Sequence, residues 1–199
     1  MEITRSIQMM IVEETSGKEA CAEISEICKE WRDFSTRSIE ETPDVAKQAM
    51  YRRAYSVTAF VRTKTKGSKT TPFIRNYTTA ICYGLDLKIR GFAILKLTHL
   101  PLKIYKKPQP IPKPDPQRTY IRLCYLSTNP ENLYQELGYK GVGTALIQFL
   151  FEKCVSESFA GIFVEPVPGA VSFFEQFNFI QAIGTDSKSK NPMIWRPDR

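Results

Sequence analysis

The stretch that most constrains this chain is Glu136-Leu137-Gly138-Tyr139-Lys140-Gly141-Val142-Gly143-Thr144-Ala145-Leu146-Ile147, continuing through Cys154. Glycines at 138, 141 and 143 run directly into apolar residues at helical spacing, so the segment reads as a loop delivering its backbone to a helix N-terminus. Such a junction attracts anions. Glycine lacks a Cβ, so N–H groups at Gly141 and Gly143 can approach a phosphate, and the unpaired first-turn donors and dipole of the helix favour the same charge. Two common glycine loops do not match. A P-loop needs a Lys-Ser or Lys-Thr pair at the end of a longer spacing, and the dinucleotide fingerprint opens a parallel βαβ unit.

The flanks add order. Upstream, Arg118-Thr119-Tyr120-Ile121-Arg122-Leu123-Cys124-Tyr125-Leu126 has strand composition; downstream, Ala160 to Val164 reads as a second strand, and a helix follows that ends Phe173-Phe174-Glu175-Gln176-Phe177-Asn178-Phe179. A helix joining two consecutive strands predicts a parallel pair with a crossover.

This order and these residues resemble the GNAT superfamily of acyl-CoA-dependent N-acyltransferases. Its cofactor motif, Arg/Gln-x-x-Gly-x-Gly/Ala, is matched at both glycines by Gly138-Tyr139-Lys140-Gly141-Val142-Gly143, with Gly138 replacing the leading Arg/Gln. A later family pattern, a small residue followed by Phe-Tyr and Gly-Phe, looks like Ala170, Phe173-Phe174 and Asn178-Phe179. The resemblance implies an α/β (α+β mixed) fold: a central mixed, mostly antiparallel sheet with splayed, parallel fourth and fifth strands, flanked by helices, as one domain over residues 1–199. It also implies acetyl-CoA as co-substrate, its pyrophosphate over Gly141 to Thr144. Gly138, Tyr139, Lys140, Gly141, Val142, Gly143, Thr144 and Phe174 would be cofactor contacts. The backbone of Cys124, Tyr125 and Leu126 would pair with the pantetheine.

Amide formation from a thioester needs a neutral amine aimed at the carbonyl, donors for the developing oxyanion, and a proton for the departing thiolate. Many family members supply that proton from a tyrosine where this chain has Phe174, which has none to give. Tyr134 and Tyr125 are the candidate substitutes, and Glu131 or Tyr120 could assist amine deprotonation. The implied activity is acetyl transfer to a primary amine, on a protein lysine or N-terminus or on a small molecule. The alternative is a catalytically weak or inactive acyl-CoA-binding or partner-binding protein on the same fold, in keeping with Phe174, Gly138 and the proline-rich excursion.

Composition trims other classes. A 199-residue chain that is 42% hydrophobic can bury a core. No apolar run is long enough to span a bilayer and Met1-Glu2-Ile3-Thr4-Arg5 is unlike a signal peptide, so a cytoplasmic protein is expected. The five scattered cysteines read as reduced thiols, and with His99 as the single histidine no Cys/His metal cluster is expected. The formal charge of +7 is spread over Arg52-Arg53, over Arg62, Lys64, Lys66 and Lys69, and over Lys103, Lys106 and Lys107. Read as solvated loops, these clusters disfavour nucleic acid as partner.

Along the first half, Ile3 to Glu13 reads as a strand and Lys18 to Phe34 as a helix with its stripe at Cys21, Ile24, Ile27, Cys28 and Trp31. Thr42-Pro43-Asp44 reads as a cap, with proline at the first position of a helix reaching about Tyr51. Tyr55 to Arg62 is strand-like and Lys64 to Thr71 a connection, which suggests an added hairpin before the strand pair Thr78 to Tyr83 and Arg90 to Leu97. Pro101 to Arg118 is proline-rich and reads as an extended excursion, either a passive spacer or a flap near the acceptor. Ser127 to Leu137 is longer than the usual family connection and carries Glu131, Tyr134 and Glu136.

Overall fold

The computed structural model describes residues 10–66, 77–99, 119–133, 140–181 and 192–197. Its elements are β1 (Ile11–Ser16), α1 (Gly17–Glu41), α2 (Val45–Lys66), β2 (Thr78–Tyr83), β3 (Ile89–Thr98), β4 (Tyr120–Thr128), α3 (Val142–Ser156), β5 (Ile162–Val164), α4 (Val171–Glu175), β6 (Ile180–Gln181) and β7 (Met193–Trp195). The strands form one seven-stranded sheet in the order β1-β2-β3-β4-β5-β7-β6. Antiparallel pairs β1–β2, β5–β7 and β6–β7 surround a parallel β4–β5 pair, with Ile121 opposite Ile162 and Leu123 opposite Val164. The parallel pair with α3 as its crossover is the arrangement expected from the sequence. Among the described residues no helix is long and apolar enough to cross a membrane.

By internal contacts the chain divides into two compact units, Met1–Ile94 with Tyr125–Leu146 and Leu95–Cys124 with Ile147–Arg199. In the first, α1 and α2 supply Ile24, Cys28, Trp31 and Val61 to a core completed by Ile81, Ile89, Phe92 and Ile94. Trp31 stacks on Phe92 at 5.6 Å, and Phe34 meets Tyr51 edge-on. In the second unit Tyr120, Phe163 and Ile194 form one core cluster. There too Phe151 stacks on Trp195 at 4.1 Å and lies beside Phe177 and Phe179.

The first half corrects several expectations. Tyr55 to Arg62 is not a strand, and Lys64 to Lys66 is not a connection: both lie in α2, so no extra hairpin precedes β2. Tyr, Val, Thr and Phe suit a strand, yet the buried positions Tyr51, Thr58 and Val61, with half-buried Ala54, repeat at helical spacing. Packing of that face overrides local preference, and the hydroxyls accommodate it. Ser56 Oγ donates to Arg52 O (2.8 Å) and Thr58 Oγ1 to Ala54 O (2.9 Å), satisfying side chains that otherwise compete with a helix. The basic clusters at Arg52-Arg53 and at Arg62, Lys64 and Lys66 therefore belong to a helix and not to loops.

The cap of α2 also moves. Asp44, not Thr42, caps it, its Oδ1 accepting from Ala46 N (2.8 Å) and Lys47 N (3.2 Å), so Pro43 precedes the cap. Helix α1 runs on past Phe34 to Glu41. The first strand is β1, beginning at Ile11, and residues 1–9 lie outside the described residues, as does the excursion 101–118. The last helix is shorter than expected: α4 ends at Glu175, and a turn with Asn178 at φ 61° leads to buried Phe179. Asparagine tolerates the left-handed conformation better than most residues, which explains how it stands where the family pattern has glycine. Strands β6 and β7 had no sequence reading at all.

Candidate functional site

The site builds from the end of β4. Registered pairing with β5 stops at Leu123–Val164, while β4 continues to Thr128 through five half-buried residues, Cys124, Tyr125, Leu126, Ser127 and Thr128. After Val164 the partner chain gives up strand geometry at Glu165-Pro166, and proline has no N–H to extend the ladder. A strand that outruns its neighbour in this way offers main-chain groups to an extended ligand. Cys124 Sγ lies 3.6 Å from Arg122 O, and burial, partly offset by Arg122 and Lys96, pushes its thiol pKa up. That discourages a nucleophilic thiolate. The Tyr125 ring is 5.6 Å from that of Phe60 on α2.

Beyond β4 the chain makes a 3-10 turn, Pro130–Leu133, and the description resumes at Lys140. Gly141 has φ +83°, a conformation that penalises any residue with a Cβ, and a Cβ there would meet no atom closer than Met10 Cε at 3.7 Å. Its carbonyl accepts from Ala145 N at 2.8 Å, which closes the first turn of α3. By helix geometry the N–H groups of Val142, Gly143 and Thr144 precede the first intrahelical donor. Lys140 and Gly141 are exposed, whereas Val142 is buried and anchors the turn.

Of the other sequence candidates, Tyr134, Gly138 and Tyr139 lie outside the described residues. Glu131 follows Asn129, whose Oδ1 accepts from Glu131 N at 2.9 Å, and its carboxylate is 3.6 Å from the Arg90 guanidinium. Tyr120 is a buried core residue of the second unit. So is Phe174, 4% exposed, its ring edge-on to Phe173 at 5.2 Å and to Phe179 at 5.3 Å.

One feature escaped the sequence reading. Within the first unit a groove of about 790 Å3 is lined by Glu23, Glu26, Glu30 and Asp33 of α1, by Trp31 and Tyr83, by Glu131 after β4, and by the basic side chains of Arg37, Lys88 and Arg90. Tyr83 OH donates to Glu23 at 3.3 Å, and burial together with that carboxylate raises the phenol pKa. The groove's five carboxylates outnumber its three cations, so in a chain of net charge +7 this aromatic-walled groove is locally the better place for a cation. The signal was present as acids at 23, 26, 30 and 33, one helical face beside the apolar stripe.

No protein-family model matches the sequence, and no curated protein matches it either. Solved structures do match in shape. One is described as a bacterial toxin: 13% identical, covering 96% of this chain and 92% of that one, TM-score 0.52. A protein of Desulfovibrio desulfuricans assigned to the GNAT family of acetyltransferases is 11% identical over 94% and 99% of the two chains, TM-score 0.50. The Bacillus subtilis N-acetyltransferase YlbP, solved in complex with coenzyme A, is 18% identical over 96% and 98%, TM-score 0.47. The fold is that of the GNAT acetyltransferases.

Proposed function

We propose that this protein is an acetyl-CoA-dependent N-acetyltransferase acting on a primary amine. The observation that carries the reading is the turn at Gly141, an exposed residue with φ +83° that leads into the first turn of a fifteen-residue helix. Those residues fit a diphosphate. Val142, Gly143 and Thr144 would hold it through their backbone N–H groups, with Lys140 adding positive charge, and the helix dipole would favour it further. The main chain at Cys124 to Leu126 would run alongside the pantetheine. When bound, acetyl-CoA supplies an activated acyl group.

The remaining work falls to this chain's residues. The groove beside α1 would take a cationic acceptor, and Glu131 at its edge would accept the amine proton. Tyr125 or Tyr134 would donate to the leaving sulfur in place of the absent tyrosine at 174, a role typically worth about 10²–10⁴-fold. The acceptor class is an amine on a protein or a small molecule, and the whole of residues 1–199 would serve as one catalytic domain. Release of free thiol from acetyl-CoA with a panel of amines tests this. Turnover that rises with amine charge, with KM increased by Glu23→Lys and Glu30→Lys and CoA affinity unchanged, supports it. Saturable CoA binding with no turnover on any amine would instead favour a binding protein on the same fold, the reading that buried, hydroxyl-free Phe174 supports.

A further inference from the structure

We infer that two consecutive residues of β3, Arg90 and Gly91, form a clamp that positions the anion-binding turn. The inference rests on the coenzyme A reading of Gly141 to Thr144 given above. Successive residues of a strand face opposite ways, so this dipeptide can hold different partners with its backbone and its two faces.

The chain leaving β4 is held by Arg90. Asn129 N donates to Arg90 O at 2.8 Å, and Asn132 Nδ2 donates to the same oxygen at 3.0 Å. The Arg90 guanidinium, only 9% of the residue being exposed, bonds Asp86 Oδ2 at 2.5 Å and lies 3.6 Å from Glu131. Carboxylates therefore fix the residue whose carbonyl receives the departing chain. Asn129 is itself buried, and its side chain accepts from Glu131 N, so the 3-10 turn starts from a fixed point.

The chain returning at α3 is seated on Gly91. A Cβ on Gly91 would lie 2.5 Å from Val142 Cγ1, 3.0 Å from Ser127 O and 3.3 Å from Leu146 Cδ1. Val142 is β-branched and buried, with one strongly preferred rotamer in a helix. It has no flexible end to swing aside. Relief would come from shifting the first turn of α3, which carries Gly141 and the N–H groups of Gly143 and Thr144. Glycine at 91 thus sets how closely the helix start approaches β3, and Arg90 fixes where the same connection begins. Both ends are held before a ligand arrives, which lowers the ordering cost of binding.

The test uses the full chain, coenzyme A as titrant, and exchange of the Ala145 amide hydrogen, the first bonded donor of α3, in the free protein. Gly91→Ala should weaken coenzyme A binding about tenfold or more and speed Ala145 exchange, leaving Cys82 in β2 protected. Adding Val142→Ala should remove most of that loss relative to Val142→Ala alone, a recovery that general destabilisation would not give. Asn132→Ala, which removes the Nδ2 bond to Arg90 O at the departing end, should produce both effects severalfold. A folded Gly91→Ala protein with parental affinity and parental Ala145 exchange would overturn the clamp. If Gly91→Ala does not fold, parental values in Asn132→Ala overturn it instead. A parent that binds no coenzyme A would sink the functional reading, and Ala145 exchange would still decide the clamp.

Discussion

The two parallel strands of the sheet leave by contrasting routes. From β4 the chain enters α3 at exposed Lys140-Gly141, with a left-handed turn at Gly141 followed by the first-turn N–H groups of a long helix. From β5 it reaches α4 through Glu165-Pro166-Val167-Pro168, where two residues have no N–H, and α4 is five residues long and closed by aromatic rings. One exit ends in a glycine turn at the start of a long helix; the other runs through two prolines into a short helix packed with aromatic rings. On the coenzyme A reading proposed above, helix position alone would not make an anion site. What separates the exits is a left-handed glycine before a long helix against two prolines before a short one.

The comparison breaks most visibly at its glycines. Gly141→Glu with Gly143→Glu adds bulk and negative charge where the donors converge, and Gly141 must also hold φ +83° against a Cβ. Calorimetry should find coenzyme A binding lost. Retained affinity would move the site elsewhere.

At the other exit the large effect should be on stability. Phe174→Ala removes a buried ring packed on Phe173 and Phe179, and should cost about 3–5 kcal/mol in denaturant unfolding. A loss below about 1 kcal/mol would mean that this exit is not sealed. Phe174→Tyr sharpens the point, since it only adds a hydroxyl. With the ring 4% exposed, an unsatisfied hydroxyl should cost about 1–3 kcal/mol and leave turnover unimproved. Increased turnover in a stable protein would show that residue 174 reaches the reacting sulfur.

How much of this contrast was legible depended on whether the signal was local. The glycines, the apolar helix after them and the flanking strands lie within one contiguous segment, so β4, α3 and β5 followed from spacing. The second half of helix α2 did not, because Tyr55, Val57, Thr58 and Phe60 favour a strand and only packing against α1 selects the face through Tyr51, Thr58 and Val61. The acidic groove was missed for a related reason: charge was summed over the chain, while Glu23, Glu26, Glu30 and Asp33 matter by sharing a face. Gly91 read as strand composition, and its closeness to Val142 is a tertiary fact.

A smaller effect should appear in alkali, at thiols sealed in the core. Burial, eased by Arg62, pushes the Cys28 thiol from the ordinary 9.0 up to about 12, and burial raises Cys82 to about 11. An unfolded thiol ionises near 9 and the folded ones do not. The stability they contribute is therefore complete below about pH 9 and is lost as pH rises toward 11 and 12, by at most about 1.4 kcal/mol per pH unit for each thiol. Urea midpoints from pH 7 to 10.5 should fall only above 9, and less steeply in Cys28→Ala. A decline of equal slope in that variant would assign the loss to other groups.

The most direct test of the central claim is an amide chemical-shift titration of the protein with coenzyme A. Shifts and line broadening concentrated at Gly141, Val142, Gly143 and Thr144 and along Cys124 to Leu126, with Phe173 to Phe179 little changed, are the predicted result. Saturable changes centred on α4 with the Gly141 turn silent, or no saturable change at all, would contradict it.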